Sequence, residues 1–330
     1  MRTALALVGL SSAALLPAQI TFHQEIGKKL VPAGAAVERL ATGMQFTEGP
    51  VWDLLNDRLV FSDIPTQRWM TWTAAAGVKE LGPSGGANGN TLDAQLLVLA
   101  CRHEARDVVR READGSLTVL VDRHEGKRLN SPNDVAVYRD GTIWFTDPTY
   151  GLGRRQREQP GNFVYRFDPA RKELRVVLRD LDQPNGLCFA PDRPCLYVAD
   201  SGRVPRIGAF PVRDDGSLGD AEFWIGDGAD GMRCDAQGRL FTAARDGVRI
   251  HSAKGVRLVT IACPEQPANL AFGGADLCTL FVTARTSLYR IQVAEPGLLG
   301  AFDVPPAKGD APPSPAPPTP TPEPKPSGQR

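Results

Sequence analysis

Four oxygen-bearing side chains stand at the same kind of place in this chain. Glu48 comes just before VWD, Asn133 before VAVY, Asn185 before LCF and Asp230 before MRC, each at the entrance to an apolar strand. Singly, such residues cap strands or form turns. Four of them at equivalent places in separate parts of the chain point instead to a shared ligand, and oxygen donors of this kind suit a hard cation. Two carboxylates and two neutral amides balance a divalent charge and leave positions for water and a substrate. The four histidines, His23, His103, His124 and His251, are not at ligand spacing, which disfavours zinc. The expectation is one divalent ion with Glu48, Asn133, Asn185 and Asp230 as ligands. Ca²⁺ ranks first, Mg²⁺ and Mn²⁺ next and Zn²⁺ last.

Ligands spread so widely can meet only in a closed fold, and a repeat supplies one. RLVFSD, LLVLAC, TIWFTD, CLYVAD, RLFTAA and TLFVTA end at Asp63, Cys101, Asp147, Asp200, Ala244 and Ala284. Their spacing of roughly 40 to 50 residues is that of propeller blades with four strands each. Around them an apolar strand turns through a Gly- or Asp-containing corner and returns as a second strand, as in VAVYRDGTIWFTD, which is hairpin patterning. No stretch after about residue 30 keeps helical periodicity. The fold class expected is all-β, a six-bladed β-propeller, in which the strand starts carrying the four oxygen ligands face the central channel. A β-sandwich or double barrel is the alternative.

The chain divides into three expected parts. Residues 1–20, with Arg2, an apolar run from Ala4 to Leu16 and the small Pro17 and Ala18, read as a signal peptide too short to span a bilayer. This implies export to the periplasm or medium, with a cytoplasmic location as the alternative. Residues 35–302 form the propeller. Residues 303–330, PPAKGDAPPSPAPPTPTPEPKPSGQR from Pro305 on, are too proline-rich to bury a core and read as an extended tail. The 38 basic and 38 acidic residues cancel without a basic stripe, which argues against nucleic acid as a partner. A monomer or weak dimer is expected. Six cysteines show no CxxC pair; a bridge between Cys188 and Cys195, pairs across blades, and buried free thiols all stay open.

Gly82-Pro83-Ser84-Gly85-Gly86 formally matches a nucleophile elbow. The elbow needs a strand before it and a helix after it, and this stretch is a glycine-rich loop running into NTLDAQ, so a serine hydrolase is set aside.

TEGPVWD with LVFSDIP, SGGANGNTLD with ACRHEARDVVR, LNSPNDVAVYRDGTIWFTDPTYG, QPNGLCFAPD with LYVADSG, and DGMRCDAQGRLF together resemble the SMP-30/gluconolactonase/LRE-like family. The likeness runs from about residue 35 to about residue 290 and is greater to the bacterial gluconolactonases than to the animal branch. It implies a six-bladed propeller that hydrolyses a sugar lactone with a calcium-type cation. It also implies that Glu48, Asn185 and Asp230 are the core metal ligands, that Asn133 reaches the metal or the substrate, and that Asp230 doubles as general base. A ligating carboxylate is less basic, so His103 is the second candidate for proton transfer, against a purely structural role. Asp147 and Tyr150, with Asp134, shape the substrate pocket or support it from behind; Asp134, next to a ligand in an extended segment, points the other way. Glu104, Ala105, Arg106 and Asp107 replace the branch's usual Gly-Asn-Arg-Arg-like run, and Gly89-Asn90-Thr91 its Gly-Leu-Thr, which puts the choice of lactone in question. A hydrolase of other lactones or esters, or a non-catalytic propeller that binds a ligand or partner, are the competing readings.

Overall fold

The computed structural model describes residues 14–299, with side chains from residue 18 onward. Six antiparallel sheets follow one another in a ring. Blade 1 runs from Thr47–Asp53 through Arg58–Asp63 and Arg68–Thr73 to Gly77–Pro83. The innermost strands of blades 2 to 6 are Ala87–Leu92, Val135–Val137, Pro184–Phe189, Met232–Cys234 and Pro267–Gly273. The six repeated sequence motifs are the second strands, and the Asp-Gly and related corners before them are the hairpin turns, so the expected six-bladed propeller is the fold observed.

The apolar residues of each blade alternate toward its two neighbours, so the core is divided into six layers between successive blades. Val51 and Trp69 of blade 1 meet Ala87 and Ala100 of blade 2; Phe145 and Tyr165 of blade 3 meet Leu99 and Val108 of blade 2. The other layers repeat this between blades 3 and 4, 4 and 5, and 5 and 6. In the last layer Phe281 of blade 6 stacks on Trp52 of blade 1 at 5.4 Å, closing the ring. Each such buried large side chain contributes about 1.5–3 kcal/mol.

Closure is also made by the backbone. Ala36–Thr42, which precedes blade 1 in sequence, pairs with Ser287–Gln292 and becomes the outer strand of blade 6. Ala14–Pro17 then pairs with Ala36–Thr42, and Ile20–Phe22 adds a strand to blade 5 beside Arg257–Ile261. The segment ahead of residue 35 is therefore laid across two blades. Residues 1–13 of the expected leader, and the tail from 303 on, lie outside the described residues.

Around the axis the blades are tied to one another, neighbour to neighbour. Asn90 Nδ2 donates to Gly49 O (2.6 Å), Gly89 N to Asn133 O (2.8 Å) and Leu187 N to Asp134 Oδ2 (3.4 Å). Gly186 N donates to Asp230 O (3.1 Å), Gly231 N to Ala268 O (2.8 Å) and Asn269 Nδ2 to Glu48 Oε2 (3.0 Å). Blades 1 to 6 and back to 1 are thus linked without a gap. The approach is close enough to demand glycine at Gly186, where a Cβ would lie 2.2 Å from Asp230 O.

Gly186→Ala must therefore push blade 4 from blade 5. The expected outcome is a stability loss of about 3 kcal/mol or more, read from chemical denaturation. An unchanged midpoint would show that the axial contact carries no strain.

Candidate active site

The inner strands carry their polar residues on bulges. Glu48 faces Ser62 while Val51 faces Val60, so three residues on one strand span two on the other. The same extra residue appears between Ala87 and Asn90, between Pro184 and Leu187, and between Pro267 and Asn269. A bulge bends the strand and re-aims a side chain. Here the bulged residue is followed by glycine at Glu48-Gly49, Asn88-Gly89 and Asn185-Gly186, and Asp230-Gly231 repeats the pair at the entrance to blade 5.

Glu48, Asn185 and Asp230 come together at one end of the channel. Asn185 hydrogen-bonds Asp230, and burial, with Asp134 adding, raises the Asp230 carboxyl to about 7. Burial first, then the charges of Asp230 and Asp134, push Glu48 well above the ordinary carboxylate range. Glu48 Oε2 accepts from Gly49 N (2.5 Å) and from Asn269 Nδ2 (3.0 Å). Asp230 and Asn185, with Ser201, Ala244, Arg245 and Gln266, line a cavity of about 320 Å³. Tyr150 stands beside it, bonded to Ser201 and Asn185. Burial and the nearby Asp230 hold its phenol protonated up to about 12.

Asn133 lies in a second group. Its Nδ2 is 3.4 Å from His103 Nε2, which is also 3.0 Å from Asn88 Nδ2. Burial, with Arg155 adding, lowers His103 to about 4, so the ring is neutral at neutral pH. The two groups adjoin through the axial bond from Gly89 N to Asn133 O. Next to Asn133, Asp134 Oδ2 forms an ion pair with Arg233 Nη1 at 3.6 Å, and Arg233 also donates to Met232 O.

Asp147 holds a loop from behind the site. Fully buried, it accepts Asn130 N and Ser131 N, both at 2.8 Å, one on each carboxylate oxygen. It thereby pins the loop that presents Asn133. The repeated aspartate does the same elsewhere: Asp63 accepts Gln45 N and Phe46 N, and Asp200 accepts Asp182 N and Gln183 N. Ser84 is buried and its Oγ accepts Ala87 N, a turn contact.

Asn88, Asn269, Ser201 and Arg233 belong to these networks and were not singled out from sequence. Asn88 had a signal, the same polar-Gly pair that marks Glu48, Asn185 and Asp230. Asn269 had none, since only the ring brings blade 6 against blade 1, and Ser201 and Arg233 meet their partners only through contacts between distant parts of the chain.

The donor set fits a divalent cation. Glu48 is buried and Asp230 half-buried, and the charge of Asp230 raises the proton affinity of Glu48. Arg285 opposes the rise at Asp230 through its charge, but neither carboxylate forms an ion pair with a basic side chain among the described residues. Carboxylates so placed favour a compensating cation; no cluster of three or more His, Cys, Asp or Glu suited to a metal occurs among the described residues, and the amide oxygen of Asn185 is the further donor beside Asp230.

Residues 46–286 match the model of the SMP-30/Gluconolactonase/LRE-like region. A gluconolactonase of Zymomonas mobilis is 30% identical over 295 residues, covering 80% of this chain and 83% of that protein. The 6-deoxy-6-sulfogluconolactonase of Pseudomonas putida is 29% identical over 72% of this chain and 82% of its own length. The structure of a gluconolactonase from Xanthomonas campestris superposes with a TM-score of 0.80 at 34% identity, over 86% of this chain and 99% of that one. With its six blades and this match along most of its length, the chain belongs to the SMP-30/gluconolactonase/LRE-like family.

Proposed function

We propose that this chain hydrolyses a sugar lactone at the end of the channel where Glu48, Asn185 and Asp230 meet. The observation that carries the reading is a pair of carboxylates from different blades, the buried Glu48 and the half-buried Asp230, near enough for the charge of Asp230 to raise Glu48, with Asp230 lining a cavity of about 320 Å³. The gluconolactonase relatives support the substrate class. Glu48, Asn185 and Asp230, with Asn133, would hold one divalent cation, Ca²⁺ before Mg²⁺ or Mn²⁺, whose chemistry there is to polarise the lactone carbonyl.

The chain's own groups supply the rest. Asp230, the carboxylate that lines the cavity, accepts the proton of the attacking water as its oxygen bonds the carbonyl carbon. The ring C–O bond then breaks, and the same proton passes to the departing ring oxygen to leave a hydroxy acid. Asn185 holds Asp230 in place through their hydrogen bond. Tyr150, protonated throughout the working range, donates to sugar hydroxyls or holds Asn185. His103, neutral and fixed by Asn88, orients Asn133 and is the weaker base of the two. Export of the chain remains part of this proposal.

Turnover of glucono-δ-lactone, followed by proton release against the spontaneous rate, tests the reading. Asp230→Asn and Glu48→Gln should each lose about 100-fold or more in kcat/KM, while Ser84→Ala keeps it. A cation-loaded protein without turnover on any sugar lactone would favour a binding propeller instead.

The raised carboxyl of Asp230 also fixes a sign. In the cation-free fold it binds a proton up to about pH 7, whereas in the unfolded chain it releases it near 4. The folded state therefore binds more protons between those values, and its stability falls as pH rises through them. Thermal melts in chelator should show a lower Tm at pH 8 than at pH 6. Added Ca²⁺ should restore more at pH 8, because binding must displace the proton. Asp230→Asn should flatten the slope; an identical slope in that variant would remove Asp230 as its source.

A further inference from the structure

Three thiols, those of Cys188, Cys195 and Cys234, share the core between blades 4 and 5. Cys188 lies on the inner strand Pro184–Phe189 and Cys234 on the inner strand Met232–Cys234 of the next blade. Their Sγ atoms are 3.8 Å apart, in contact. A disulfide requires about 2.05 Å between sulfurs, a closure that small side-chain rotations supply.

The hairpin partner is placed less well. In blade 4 Cys188 faces Tyr197, and Ala190 N bonds Cys195 O, so Cys188 and Cys195 are diagonal neighbours. Diagonal positions stand about 7–8 Å apart, against about 4 Å between the Cβ atoms of a disulfide.

We propose that Cys188 and Cys234 form an inter-blade disulfide when the chain folds in contact with a small-molecule disulfide such as oxidised glutathione. One protein thiolate attacks the S–S bond of the oxidant, giving a mixed disulfide and one free small thiol. The second protein thiolate then attacks the mixed disulfide and releases the other. The protein's two sulfurs give up two electrons, the oxidant's S–S bond takes them, and the two thiol protons end on the two released small thiols.

Two further features bear on when this happens. The hydrogen bond with Cys188, and then burial, push the Cys234 thiol well above its ordinary range, so attack from the finished fold is slow and the bond belongs to the folding chain. A cavity of about 250 Å³ lined by both cysteines, together with Arg233, Tyr138 and Leu298, is the route by which a small reductant can reach it. The crosslink would join the inner strands three residues after Asn185 and four after Asp230. It would thus fix the spacing of the two blades that carry them.

The full chain refolded in a glutathione redox buffer tests this. Thiols are counted under denaturing conditions, and non-reduced peptides are identified by mass spectrometry. Expected are four free thiols out of six, a linked peptide pair containing Cys188 and Cys234, and a Tm that drops by several degrees on reduction. Cys195→Ser should keep the link, whereas Cys234→Ser should lose it. Six free thiols after oxidative refolding, or a link between any other two cysteines, would overturn the proposal.

Discussion

The hydrogen-bonded ring at the channel axis is the constraint on which the remainder of this molecule depends. Six wedge-shaped blades can close only if their inner strands approach to backbone contact. The bonds from Asn90 to Gly49, Gly89 to Asn133, Leu187 to Asp134, Gly186 to Asp230, Gly231 to Ala268 and Asn269 to Glu48 record that approach at every junction. Interiors pack densely and tolerate few voids, so the ring sets the radius to which the apolar layers between blades must fit. Ring and site use the same residues: Asn133 and Asp230 accept ring bonds with their carbonyls while their side chains enter the channel, and Glu48 accepts one on its carboxylate.

The carboxylates around the axis fall into two groups with different electrostatic solutions. In one, Asp134 is buried, which raises its carboxyl, but Arg233 opposes the shift from 3.6 Å away. A buried acid with a guanidinium partner and backbone donors is satisfied within the chain. In the other group Glu48 and Asp230 receive amide donors from Gly49, Asn269 and Asn185, and the charge of Arg285 offsets little of the rise at Asp230. Their neighbourhood raises proton affinity instead of suppressing it, and perturbed carboxyls beside a cavity are a mark of functional sites.

Much of this was legible in the sequence because repetition is a one-dimensional signal. Six similar strands at near-constant spacing, with turn residues between them, imply a ring, and Glu48, Asn185 and Asp230 stood out by their common place at strand starts. The same regularity has a structural meaning at Asp147: an aspartate recurring at the ends of RLVFSD, TIWFTD and CLYVAD is a loop clip, accepting two amides in each of these blades. Its position in the repeat was visible, but which way its carboxylate turned depends on a loop folding back over it. Asn269 was illegible for a different reason. It meets Glu48 across 221 positions of chain, and nothing local to either residue announces a partner that only closure of the ring supplies.

In blade 5 the place of the repeated aspartate is taken by Ala244, and Ala244 lines the cavity beside Asp230. A carboxylate there would both occupy space and bring a further negative charge toward Glu48 and Asp230. These two could have been neutralised as Asp134 is, by an arginine reaching over from another blade. A guanidinium fills the channel and offers only donors, which would leave Glu48 and Asp230 paired but with no room for a reacting carbonyl between them. Surrounding them with amides instead costs stability and leaves the cavity beside Asp230 open.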